Sequence, residues 1–371
     1  MTDYQNDAYW MAKALRLAEK GLNTTSPNPR VGCVIVRDGR LVGEGYHERA
    51  GTPHAEVHAL AKAGDAARGA TAYVTLEPCS HHGRTPPCAE ALIEAGVGRV
   101  VAAIEDPNPQ VGGRGLALLE EAGIATRAGV LAEDAETLNR GFLKRMRTGH
   151  PWLTLKMASS LDGATALASG ESQWITGPEA RQDVQLGRAR SCAILTGVGT
   201  VLTDDPSLNV RLPDVTRQPD RIVLDTRLRT SAEARLFKSN GRVRILHGPQ
   251  ADADSAARLG QVGADLTQLP LESTTGQLDL RALMDWLGEQ GYNEIWVEAG
   301  AILAGSLLKT GLIDELLLYQ APKLLGANVR PLLDWSIPSL AQAVQLVPVD
   351  TRQIGADLRW RLRPVTVSDT A

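Results

Sequence analysis

Cysteine is scarce in this chain. Four cysteines in 371 residues (Cys33, Cys79, Cys88 and Cys192) imply no disulfide framework, and the cytoplasm is the expected location. An excess of charge of one sign is lacking as well. A formal net charge of −4 and a pI near 6.0 argue against a basic groove, so no nucleic-acid partner is expected. No apolar run is long enough to span a bilayer, which argues against a membrane partner. Residues 1–9 are polar and acidic, unlike a signal-peptide start. Fixed-period repeats and low-complexity tracts are missing too. What remains is an ordinary globular composition, long enough for two domains with a core each.

The chemistry is concentrated in one stretch. His54-Ala55-Glu56 is followed by Pro78-Cys79 and by Thr85-Pro86-Pro87-Cys88. A histidine, an acid two residues later and two downstream cysteines match the zinc-deaminase signature H-x-E…P-C-x-x-C. Two thiolates and one imidazole would hold a single Zn²⁺ tetrahedrally and leave its fourth position open for water, the pattern of a catalytic site. Glu56, which is not a ligand, stands where it can carry protons between water and the base. A structural zinc would need a fourth protein ligand, which would have to be His58, His81 or His82. Eight residues separate Cys79 from Cys88 where the general signature has two.

Along the first half, an apolar stripe predicts a helix over about 5–20, and Asp38-Gly39 predicts a hairpin between strands 31–36 and 41–46. A helix is expected over 54–67, a buried strand over 72–76 and a helix over 88–95. A strand at 99–104, a helix at 116–122 and a strand at 124–128 follow. Such alternation predicts an α/β three-layer sandwich. A helix over 138–147 ends in Lys144, Arg145 and Arg147, read as a solvated helix end. Thr148-Gly149-His150-Pro151 then breaks the chain, so the expected domains are 1–148 and 149–371.

Here the motifs become specific. Ser26-Pro27-Asn28-Pro29-x-Val31-Gly32, His54-Ala55-Glu56, Glu77-Pro78-Cys79-Ser80-His81 and Gly83-x-Thr85-Pro86-Pro87-Cys88 resemble the deaminase half of the bifunctional riboflavin-biosynthesis deaminase/reductases. That family shares the longer gap between cysteines and a cytidine-deaminase-like fold. The resemblance implies His54, Cys79 and Cys88 as zinc ligands, Glu56 as proton shuttle, and a phosphorylated diaminopyrimidine as substrate. Asn28 could meet the pyrimidine edge, or serve only as a turn residue between prolines. His47, His81 and Arg84 could meet the ribose phosphate; an exposed polar side chain is the alternative for His47.

In the second half, strands are expected at 152–157, 192–197, 221–225, 243–246 and 294–298, and helices at 178–190, 280–290 and 302–309. Residues 158–163 and 199–206 read as loops. Glu298-Ala299-Gly300-Ala301 leads from strand to helix and would offer backbone N–H groups to an anion, although the G-x-G-x-x-G fingerprint is absent. Lys156-Met157-Ala158-x-Ser160-Leu161-Asp162-Gly163, Asp204-Asp205-Pro206-x-Leu208-x-x-Arg211 and Glu298-x-Gly300 resemble the reductase half of the same family. This implies a dihydrofolate-reductase-like α/β fold and NADPH as cofactor.

By position, the resemblance implies a cofactor site of Ala158, Trp174, Thr200 and Asp204 with Gly300, Ala301, Ile302, Leu303, Ala304, Gly305 and Ser306. It implies a substrate site of Ser172, Arg188, Leu208, Arg211 and Glu298. Arg188 and Arg211 are the candidate phosphate clamps, with surface salt bridging as their alternative. Cys33 and Cys192 read as core residues, and Asp225-Thr226 ends a strand with no assigned role. The expectation is a homo-oligomeric enzyme running two consecutive steps on small phosphorylated pyrimidines. Its rivals are a nucleic-acid base deaminase with an accessory domain and a non-enzymatic zinc-stabilised binding protein.

Overall fold

A computed structural model of the chain describes residues 3–80, 87–108 and 112–365. The chain divides into two compact units, Met1–His150 and Pro151–Ala371.

The first unit runs α1 (Asp3–Ala18), β1 (Gly32–Arg37), β2 (Arg40–Tyr46), α2 (Ala55–Ala63), β3 (Thr71–Val74), α3 (Cys88–Glu94), β4 (Arg99–Ala102), α4 (Arg114–Glu121), β5 (Ala125–Arg127) and α5 (Ala132–Thr148). Its sheet has the order β2-β1-β3-β4-β5, with β1 antiparallel to both neighbours and β3, β4 and β5 parallel. The two-residue period divides the sheet between two cores. Val34, Val36, Tyr73 and Val101 pack with Met11, Leu15, Leu138 and Phe142 of α1 and α5. Cys33, Ile35, Ala72, Val74, Val100 and Ala102 pack with Ala59, Leu92 and Leu119 of α2, α3 and α4. Strands buried on both faces read as unbroken apolar runs, and each large side chain so buried contributes about 1.5–3 kcal/mol. Asp38 and Gly39 both take positive φ, as the hairpin signal requires.

The last helix begins at Ala132, not near 138. It departs from helical geometry at Asn139, whose amide accepts from Arg30 N at 2.8 Å and donates to Arg30 O at 2.9 Å. The expected start lies at that break.

The second unit runs β6 (Trp152–Ser160), β7 (Ala164–Leu167), α6 (Pro178–Arg190), β8 (Ala193–Gly197), α7 (Val198–Asp204), β9 (Asp220–Leu224), β10 (Val243–His247), α8 (Ala253–Gln261), β11 (Ala264–Gln268) and α9 (Leu280–Glu289). It continues with β12 (Glu294–Glu298), α10 (Ala301–Lys309), β13 (Glu315–Ala321), β14 (Val329–Pro331), β15 (Leu346–Ile354) and β16 (Asp357–Pro364). The nine-stranded sheet has the order β11-β10-β9-β8-β12-β6-β13-β16-β15, parallel as far as β13, with β16 antiparallel to both of its neighbours. Leu153, Leu155, Leu195, Val297, Leu283 and Leu307 fill its main core. Two expectations change here. Residues 158–160 extend β6, because Tyr319 to Ala321 of β13 pair with them, and most of 199–206 is the helix α7. The parallel strands β6, β8, β9 and β12 open their C-terminal ends on one edge, where ligands of such sheets sit.

Candidate active sites

In the first unit, Pro53 precedes α2 and makes His54 its N-cap, with Glu56 in the first turn. Cys79 follows β3, and Cys88 is the first residue of α3. His54, Cys79 and Cys88 are the three potential ligands that converge among the described residues, with all ligand atoms within 4.8 Å of one another. His54 Nδ1 lies 3.2 Å from Cys88 Sγ and 3.6 Å from Cys79 Sγ. A tetrahedral zinc with ordinary bond lengths needs edges of about 3.5–3.8 Å, so the set fits with small adjustment. The helix N-terminus reaches the other cysteine: Cys88 N–H donates to Cys79 Sγ at 3.3 Å. A hydrogen bond from the Cys88 thiol and the nearby His54 hold the Cys79 thiol well below its usual range.

Glu56 is 3 % exposed, and its Oε2 has no hydrogen-bond partner. Burial raises its carboxyl to about 7, against the attraction of His54. A carboxyl poised there is protonated and deprotonated with comparable ease at neutral pH, as proton transfer in both directions requires. Among the described residues three donors converge, and His58 is not one of them. These residues fit zinc.

The neighbours divide into three groups. His47 is 2 % exposed, neither a surface residue nor free to reach a phosphate. Asn28 Nδ2 donates to His47 Nε2 at 3.1 Å, and His47 Nδ1 donates to Pro53 O at 3.1 Å. Burial lowers its pKa, in keeping with this neutral form. The ring also stands edge-on to His54, 5.5 Å between centroids, so His47 ties Asn28 to the ligand-bearing turn. His81 and Arg84 lie outside the described residues. Cys33 is buried in the sheet, as expected of a core residue.

In the second unit, Glu298 closes β12 and forms a two-point pair with Arg188 of α6, Nε–Oε1 2.6 Å and Nη2–Oε2 2.8 Å. Trp296 Nε1 also donates to Glu298 Oε1, at 2.8 Å. Arg188 Nη1 donates to Asn209 O at 3.0 Å, so each guanidinium nitrogen has a protein partner, while Nη1 and Nη2 each keep a second N–H. Arg211 is exposed, with Nη1 on Asn209 Oδ1 at 3.0 Å. Leu208 is 2 % exposed, packed with Val184, Ile194 and Trp296, and only its backbone could border a ligand. Lys156, a charge in the middle of an apolar strand, stood in a sequence motif without an assigned role. Burial lowers its pKa, opposed by Glu298 and reinforced by Arg188.

The cofactor candidates divide by helical period. Gly300 caps α10, and a methyl placed on it would stand 4.0 Å from Thr200 Oγ1 of α7, so those two helix starts adjoin. Ile302 is 71 % exposed, and Leu303 packs beside Gly197. Ala304 lies in the core, Gly305 faces Trp335, and Ser306 Oγ donates to Ile302 O, so these three do not present side chains as a continuous lining. Trp174 is exposed, with Arg181 4.5 Å from its ring centroid and Lys323 Nζ on its carbonyl. Ser172 is half-buried in the same segment, and Ala158 lies near the end of β6. Burial raises the Asp204 carboxyl, with Arg330 opposing.

Residues 4–104 match the cytidine and deoxycytidylate deaminase zinc-binding region, and residues 151–359 match the RibD C-terminal domain. Riboflavin biosynthesis protein RibD of Escherichia coli K12 is 54% identical over 95% of this chain and 98% of its own length. The chain belongs to the RibD family. RibD of Bacillus amyloliquefaciens is 43% identical, over 96% of each chain. Among solved structures, RibD of Acinetobacter baumannii superposes with a TM-score of 0.91 at 46% identity, covering 98% of this chain and 100% of its own. A diaminohydroxyphosphoribosylaminopyrimidine deaminase/5-amino-6-(5-phosphoribosylamino)uracil reductase of Thermotoga maritima superposes at 0.86, with 32% identity and the same coverage. Like other RibD proteins, the chain is a bifunctional enzyme of riboflavin biosynthesis, a zinc-dependent deaminase joined to a reductase that uses NADPH. No helix among the described residues is long and apolar enough to cross a membrane.

Proposed function

We propose that residues 1–148 deaminate 2,5-diamino-6-ribosylamino-4(3H)-pyrimidinone 5′-phosphate at C2. Residues 149–371 then reduce the ribosyl group of 5-amino-6-(5-phosphoribosylamino)uracil to ribityl. The observation that carries the first step is the buried, unpartnered Oε2 of Glu56 beside the His54–Cys79–Cys88 cluster. Zinc, when bound, supplies the acidity that lets water attack at neutral pH. Glu56 accepts one proton from that water and passes it to the ring nitrogen, then carries the remaining hydroxyl proton to the leaving amine, so that water enters and ammonia departs with protons balanced. Asn28, held by His47, presents its remaining amide oxygen to the base.

In the second step NADPH supplies the hydride, delivered to C1′. The free N–H groups at the start of α10 receive cofactor phosphate, with Thr200 alongside. Arg188 fixes Glu298 toward the sugar, and Arg211, the more exposed of the two arginines, meets the 5′-phosphate. A homo-oligomer in the cytoplasm completes this reading, supported by the edge strand β15 with its exposed Val347 and Val349. The test is ammonia release. The free pyrimidine nucleotide should be deaminated while RNA and DNA are not, and Glu56→Gln should keep zinc yet lose about 10²-fold or more in rate. Wild-type turnover in that variant would assign the protons to another group.

A further inference from the structure

Glu77 lies two residues before the ligand Cys79, and the reaction as described does not use it. Its side chain is buried. Four main-chain N–H groups converge on its carboxylate: Asp106 at 3.0 Å and Gly113 at 2.9 Å on Oε2, Gly115 at 2.8 Å and Leu116 at 3.3 Å on Oε1. Its own N–H donates to Ile104 O at 2.9 Å. One side chain therefore gathers the exit of β4 and the first turn of α4 onto the segment that carries Cys79. The close approach is enforced from the other side, because a methyl on Gly115 would stand 1.9 Å from Pro78 O. Parallel β3 and β4 end on the same edge, so residues 105–108 run beside the metal-bearing turn.

We infer that Glu77 is a positioning residue for the deaminase: its carboxylate fixes residues 105–108 against Pro78-Cys79 and so shapes the side of the site that receives the pyrimidine. The chemistry suits a carboxylate and nothing else of that size. Glutamine would turn an amide NH₂ toward N–H donors and leave two of them without an acceptor, whereas aspartate keeps both oxygens but falls short by one methylene.

This rests on the deaminase reading, and the experiment separates the two. Zinc content, thermal melting, deaminase kinetics and reductase kinetics are measured on wild type, Glu77→Asp and Glu77→Gln. Glu77→Gln is expected to keep zinc, a cooperative melt and reductase turnover, while the deaminase KM rises about tenfold or more and kcat changes far less. Glu77→Asp should fall between the two. Unchanged deaminase kinetics in Glu77→Gln would overturn the inference. So would loss of zinc or of the cooperative melt, which would make Glu77 a support of the metal or of the fold rather than of the substrate wall. Wild-type protein that releases no ammonia would overturn the deaminase reading itself, and with it this inference.

Discussion

Arg188 and Glu298 meet side-on, through two hydrogen bonds of 2.6 and 2.8 Å, at the C-terminal edge of the nine-stranded sheet. Their side chains are 10% and 16% exposed, so the pair is largely out of water. Breaking such a pair by removing one partner costs about 3–5 kcal/mol, because a charge is left buried and uncompensated. Arg188→Ala should therefore lower the urea midpoint of unfolding of the second unit, while zinc content stays unchanged. Arg188→Lys should fall between, since lysine keeps the charge and loses the fork. A variant as stable as wild type would show that the pair contributes nothing to the fold.

The same pair predicts a pH dependence. Burial alone would raise the Glu298 carboxyl, but the charge and hydrogen bonds of Arg188, with Lys156 and the Trp296 N–H, hold it at about 2. An unfolded glutamate titrates near about 4.3, so the folded value lies below the unfolded one. The stabilisation is then complete above about pH 5 and is lost as the pH falls through 4 toward 2. Urea midpoints measured from pH 6 to pH 3 should fall more steeply for wild type than for Glu298→Gln. Parallel curves would remove Glu298 from the acid response.

The metal site predicts a clean separation of activities. Cys88→Ser removes one of three ligands, and zinc content should drop from about one per chain to near zero, with deaminase activity lost. NADPH oxidation on deaminated substrate should survive, because the ligand cluster lies in the first unit. Elemental analysis beside the two assays checks this, and full metal retention would displace Cys88 from the ligand set.

Arg211 is the arginine proposed to meet the substrate phosphate. Among the described residues its exposed guanidinium bonds Asn209, whereas that of Arg188 is largely buried and paired with Glu298. Losing charge-assisted hydrogen bonds of about 1.5–3 kcal/mol each should raise the substrate KM of Arg211→Lys about tenfold or more. The NADPH KM should hardly move. Steady-state kinetics with both ligands varied checks the division, and the opposite pattern would place the arginine in the cofactor site.

Sequence alone determined the parts of this protein that depend on local patterning and on rare chemistry. The short apolar runs of 31–36 and 72–76, the Asp38-Gly39 turn, and the pairing of His54-Ala55-Glu56 with Pro78-Cys79 and Cys88 were legible, because each needs only neighbouring residues or an unusual combination of types. Even the late start assigned to the last helix had a local cause in Asn139, where the helix breaks. What sequence could not decide was which partner a polar side chain would find. His47 read as a contact to the ribose phosphate or an exposed side chain, until the fold buried it between Asn28 and Pro53. Arg188 read as a candidate phosphate clamp, and its pair with Glu298 of β12, 110 residues away, was not legible. Glu77 showed only as part of a motif until four N–H groups from beyond β4 closed on it. The extension of β6 and the antiparallel edge strands likewise depend on pairing between distant segments. Local propensity and ligand chemistry are written along the chain, whereas the pairing of buried charges and amides is settled only when distant strands meet and water is excluded.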